Sequence, residues 1–150
     1  METTKKSRFF SLPPEIRNMI YKTVVVKAGN LLVMSHGPSN ALTLFPVGQK
    51  RGPWLALLRT NRAIHKEASG ILYGCNTFAP DGPLGRPLPV LSRFLDCIGP
   101  VNVAHLPTMS VGFLDMVTPN HPGDQEAAFG ELVALRRCTG LKTLSTHSGV

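Results

Sequence analysis

The first regular rhythm in the chain begins just after two prolines. Leu12 and Pro13 each precede a proline and are pushed toward extended geometry. Pro14 suits the first position of a helix, where a missing N–H costs nothing. Glu15 then falls in the first turn, beside the positive end of the helix dipole. Ile16, Met19, Ile20 and Thr23 recur at three- and four-residue steps, while Arg17, Asn18 and Lys22 lie off that line. The spacing predicts a short helix with one apolar face. Beyond Tyr21 the β-branched run Thr23-Val24-Val25-Val26 favours a strand. Gly29-Asn30 is a turn signal before Leu31-Leu32-Val33-Met34, so a β-hairpin is expected next.

A longer rhythm starts at Pro53. Trp54, Leu57, Leu58, Ile64, Ala68, Ile71 and Leu72 follow a helical period through about five turns. Arg59, Arg62 and Lys66 take the opposite side, and Gly74 sits where a terminating glycine belongs. Asn61 falls close to the apolar stripe and needs a hydrogen-bond partner or exposure. Residues 81–89 are too rich in Gly and Pro to be regular. Val90, Leu91, Phe94, Leu95 and Ile98 predict a helix stopped by Gly99-Pro100, with another turn or two between Val101 and Leu106. Met109, Val111 and Phe113 alternate with small residues, as in a strand. Residues 124–138 read as a helix ending at Gly140, with Ala127, Ala128, Leu132 and Leu135 on one side, and residues 141–145 as a last short strand. Strand, helix, strand with short connections predicts a parallel βαβ unit. The expected class is α+β.

Three stretches taken in order carry a family likeness: Leu12-Pro13-Pro14-Glu15-Ile16-Arg17-Asn18-Met19-Ile20-Tyr21, Leu57-Leu58-Arg59-Thr60-Asn61-Arg62-Ala63-Ile64-His65-Lys66-Glu67-Ala68, and Leu72-Tyr73-Gly74-Cys75-Asn76-Thr77-Phe78. Their combination resembles the F-box-like proteins of filamentous fungi, and the segment 94–102 continues the likeness, which covers residues 9–114. In F-box domains the Leu-Pro opener and the helices after it dock on the Skp-type adaptor of a cullin–RING ubiquitin ligase. The resemblance therefore implies a partner-facing role for Leu12, Pro13, Ile16 and Ile20, with Leu57, Leu58 and Ile64 from the second segment. The plain alternative is that these apolar side chains pack against one another.

An F-box is a compact bundle, whereas here residues 24–52 stand between the two helical segments and read as an inserted β-hairpin. The βαβ unit at the end resembles one turn of a leucine-rich-repeat-like horseshoe. The expected organisation is a single domain over 1–150. It comprises an F-box-like segment at 9–79 and a helix plus β-α-β segment at 90–150. The chain is expected to be short relative to its relatives, through a truncated gene model or a divergent copy.

Composition narrows the function classes. At 150 residues and 43% hydrophobic, the chain suits one domain able to bury its own core. No apolar run approaches the ~20 residues of a membrane helix. Cys75, Cys97 and Cys138 are odd in number and far apart, which suits free thiols in a reducing compartment, cytoplasmic or nuclear.

The net charge of +7 is spread along the chain. It opens an alternative role as a basic nucleic-acid-associated module using Arg59, Arg62 and Lys66, with binding that weakens as salt rises. Reactive chemistry is hard to find. Glu15 and Glu67 each lack a second carboxylate nearby, and the five histidines never fall at metal-ligand spacing. The segment 48–52, GQKRG, is too short for a phosphate loop, and neither GxGxxG nor GxSxG occurs. The expectation is a non-catalytic protein-interaction module without cofactor or metal.

Overall fold

The computed structural model describes residues 8–36, 41–49, 52–82, 87–112, 133 and 135–147. The class is α+β. A 3-10 turn, Arg8–Ser11, leads into helix α1 (Pro14–Val25). Strands β1 (Asn30–His36) and β2 (Ala41–Pro46) follow, then a 3-10 segment (Pro53–Arg59) and helix α2 (Arg62–Cys75). After these come strand β3 (Thr77–Asp81), helix α3 (Pro87–Val103), β4 (Thr108–Gly112) and β5 (Thr143–His147).

The five strands form one sheet in the order β2-β1-β3-β4-β5. β2 runs antiparallel to β1, while β1, β3, β4 and β5 are parallel neighbours in chain order. Each parallel step therefore advances the sheet in one direction. Phe78, Ala79 and Pro80 of the middle strand are buried in succession, as both faces of a covered parallel strand must be. The core joins the two ends of the sequence. Val25, Leu31, Val33 and Leu72 pack in one cluster with Phe94, Leu95, Met109, Val111 and Cys138.

Several elements differ from the expectation. Thr23, Val24 and Val25 are helical, so the hairpin is β1–β2 and lies one element later. β-branched residues cost a helix only a few tenths of a kcal/mol each, and burying Val25 completely outweighs that. Thr23 Oγ1 also bonds back to the Met19 carbonyl at 2.9 Å. The long helix expected from Pro53 is two elements. Asn61 is extended (φ -158, ψ 145) and accepts the Ala63 N–H on its side chain, which starts α2 afresh. Gly74 lies in the last turn of α2 and does not end it; Asn76 does.

Strand β3 was not expected, because its five residues include Pro80 and show no alternation. The Gly99-Pro100 stop is real. Gly99 adopts φ 75, open to glycine at little cost, and α3 breaks there into two helical pieces. β4 and the parallel β4–β5 pairing also appear as expected. Phe113 and most of the helix expected at 124–138 lie outside the described residues; Val133, Leu135 and Arg136 are helical.

Two positions tie the layers together. Asn76 is buried, and its Nδ2 donates to the Val25 carbonyl (3.0 Å) and the Leu72 carbonyl (2.8 Å). Its Oδ1 accepts the Lys27 N–H at 2.9 Å. One side chain thus closes the ends of α1 and α2 at the start of β3. Gly140 faces the turn after α3, where a Cβ would collide with the Ala104 carbonyl. That close approach lets Lys142 and Thr143 both donate to the Pro107 carbonyl and sets β5 beside β4.

Asn76→Ala should lower stability by about 2–4 kcal/mol, since it strips three backbone groups of their partner. Urea unfolding at neutral pH measures this, and a loss near zero would mean the clamp is replaceable. Gly140→Ala should also lower the urea midpoint, because the collision is with backbone and no side-chain rotation relieves it.

Candidate docking surface

The two helical segments meet despite the hairpin between them. Arg17 on α1 forms a two-pronged ion pair with Glu67 on α2: Nε donates to Oε2 and Nη2 to Oε1, each at 2.9 Å. The Tyr21 hydroxyl, one turn further along α1, donates to the same Oε2 at 2.9 Å. Arg17 Nη1 reaches back to the Leu12 carbonyl at 2.6 Å, fixing the entry of the chain into the helix. Phe9 packs against the Tyr21 ring with centroids 5.7 Å apart. Fork geometry of this kind makes Arg–carboxylate pairs directional as well as strong.

Electrostatics follow from that geometry. The hydrogen bonds from Arg17 hold the Glu67 carboxyl below its ordinary range, against the opposing effect of burial, and the Tyr21 bond adds to the lowering. Burial, helped by the bond to Glu67, pushes the Tyr21 hydroxyl up to about 12. The Arg17 guanidinium is raised in turn, chiefly by its bond to Glu67.

This seam decides which way α1 faces. Arg17, Tyr21, Val24 and Val25 turn toward the rest of the protein, and the row Ile16, Met19 and Ile20 turns to solvent. Those three side chains are 43%, 64% and 39% exposed. The apolar stripe of the sequence is thus the outer face, and the face bearing Arg17 is the inner one. Pro13 is exposed and Leu12 half-buried at the start of the same row. Leu57, Leu58 and Ile64 are elsewhere in character. All three are half-buried, and Leu57 and Leu58 pack against the central cluster. Of the residues singled out by the resemblance, Ile16 and Ile20 share the outward face of α1, with Leu12 and Pro13 just before it, whereas Leu57 and Leu58 face the central cluster and Ile64 is half-buried.

Arg59, Arg62 and Lys66 are exposed, and none is paired among the described residues. Lys27 is held differently, donating to the Val24 carbonyl at 2.7 Å with its ammonium 5.0 Å from the Trp54 ring centre. Among the described residues no three His, Cys, Asp or Glu side chains lie together as a metal site would need. Nor is any helix there long and apolar enough to cross a membrane. The three cysteines are free, with Cys75 and Cys97 exposed and Cys138 buried.

Sequence reasoning missed Glu67, read as an isolated carboxylate, and the inward role of Arg17 and Tyr21. The available signal was their four-residue spacing, which stacks a cation and a phenol on one helix face. Comparison with protein-family models, with curated proteins and with solved structures finds no match for this chain.

The seam makes stability depend on pH at both ends. Glu67 titrates lower in the folded protein than unfolded, so its contribution is full at neutral pH and fades as pH falls below the ordinary carboxylate range. Tyr21 titrates higher when folded, so its contribution is lost as pH rises from the ordinary value of 10.0 toward about 12. Glu67→Gln should therefore flatten the acid limb of a melting-temperature profile, and Tyr21→Phe the alkaline limb. An unchanged pair of limbs would show that the seam carries no linkage.

Proposed function

We propose that this chain is a non-catalytic, F-box-like protein-interaction module. Its N-terminal apolar row, Leu12 and Pro13 just before α1 with Ile16, Met19 and Ile20 on it, would dock a Skp-type adaptor of a cullin–RING ubiquitin ligase. The observation that carries the reading is the exposed row on α1. A helix this short normally spends its apolar stripe on its own core, yet here Arg17 and Tyr21 hold the opposite face inward and leave Ile16, Met19 and Ile20 free. An apolar row of this kind, held rigid and rimmed by polar side chains, suits capture by a partner.

The strand-and-helix half supports the second part of the same reading. Parallel strands that advance β1, β3, β4, β5 in chain order fit a horseshoe-like platform for substrate, separate from α1. The setting is intracellular, cytoplasmic or nuclear, consistent with three unpaired cysteines.

Ile16→Asp with Met19→Asp tests the docking face. Both side chains point to solvent, so the double variant should keep its circular dichroism spectrum and cooperative melt. Co-purification with a recombinant Skp-type adaptor should be abolished. Failure of the unaltered protein to bind that adaptor at micromolar concentration would remove the adaptor assignment.

A further inference from the structure

The exposed face of α1 has an order along the helix as well as an apolar character. Glu15 and Lys22 stand seven residues apart, close to two turns, so they share one line on the helix surface. Met19 lies on that line between them, four residues after Glu15 and three before Lys22. Ile16 and Ile20 form a second row beside it. All five are exposed, and Met19, at 64%, stands furthest into solvent. Neither Glu15 nor Lys22 has a partner among the described residues. The face runs from an unpaired carboxylate, across an apolar middle, to an unpaired ammonium.

A surface ordered in this way is complementary to itself when reversed. A second copy related by a two-fold axis beside Asn18 and Met19 would set its α1 antiparallel to the first. Glu15 then meets Lys22 of the second copy and Lys22 meets its Glu15, because both residues are equally far from the axis. A two-fold of this kind also keeps like flanks together, so Ile16 faces Ile20 of the second copy and Met19 packs at the centre. A parallel pair would instead set carboxylate on carboxylate and ammonium on ammonium.

We infer that α1 is a self-association face, occupied by α1 of a second copy of this chain in the antiparallel arrangement. Self-pairing stands without the adaptor reading; its consequence, that paired chains cannot hold an adaptor, rests on that reading. Size sets the strength of the pair. The 12 residues of α1 extend about 18 Å. One such helix crossing falls short of the roughly 1,000 Å² that a stable interface buries. The dimer is therefore transient and forms only at high protein concentration.

Sedimentation velocity of the full chain at rising concentration should show a reversible dimer. Glu15→Lys alone and Lys22→Glu alone should each weaken it at least about tenfold, since both contacts become repulsions. Mixing these two variants should restore pairing between them, as should both changes in one chain. Met19→Cys should cross-link to its own copy under oxidation in a chain whose exposed Cys75 and Cys97 are replaced by serine. Thr23→Cys, displaced about 13 Å along the axis from its copy, should not. Circular dichroism and melting confirm that each variant folds.

A chain that stays monomeric up to about 1 mM overturns the inference. So do single variants that pair as well as the unaltered chain, or a mixture no better than its parts. Cross-linking at Thr23→Cys in preference to Met19→Cys does the same. Adaptor binding by a chain that never dimerises removes self-pairing and leaves the adaptor reading. A dimer with these charge dependences that binds no adaptor when diluted to monomer does the reverse.

Discussion

One polar joint governs the arrangement of this protein: a guanidinium and a phenol on α1 sharing a single carboxylate on α2. Arg17 and Glu67 are 50 positions apart in sequence, so the joint closes a long loop that local preferences cannot close. Ion pairs removed from water often add little net stability, because desolvation offsets attraction. Their value here is directional. Arg17 has a fixed fork, Glu67 two oxygens and Tyr21 one hydroxyl, and only one rotation of α1 satisfies all three. That rotation forces Ile16 and Ile20 outward. The exposure of the apolar row is thus a product of the seam, and the docking role proposed for it inherits the seam's rigidity.

The hairpin between the two helices is part of the frame and not an ornament on it. β1 lies inside the sheet, with β2 on one side and β3 on the other. Leu31 and Val33 from it enter the same cluster as Leu72 and Phe78. Asn76 adds a second bond between the parts by holding the ends of both helices and the Lys27 amide at once. Helices, hairpin and parallel strands therefore share one set of contacts. The α1 face proposed for docking stands on a foundation wider than a pair of helices.

Much of this was legible in the residues. The double proline marks the start of α1 because its chemistry is local: fixed φ, no N–H, and a restricted preceding residue. The same holds for the break at Gly99-Pro100 and for the alternation that makes β4. The α+β class and the parallel β4–β5 pair followed from such local signals. What could not be read depends on distant partners. Thr23 to Val25 prefer strands locally, but Val25 gains more by entering the core at the end of α1. Asn61 looked like a flaw in one long helix until its side chain was seen to cap a second one. β3 has no pattern of its own and is a strand because β1 and β4 flank it. The choice of inner face on α1 turned on Glu67, whose meaning is invisible until α2 is brought alongside.

The parallel pairing of β1 with β3 has a consequence for how the chain is made. During synthesis β1 leaves the ribosome well before its central neighbour exists, with hydrogen-bonding groups open on both edges. β2 follows within a few residues and can pair at once, as a hairpin forms in microseconds. One side of β1 is thereby shielded while the tunnel still holds α2 and β3. The antiparallel hairpin acts as a built-in escort for a nascent strand, covering it until the slower, long-range partner emerges.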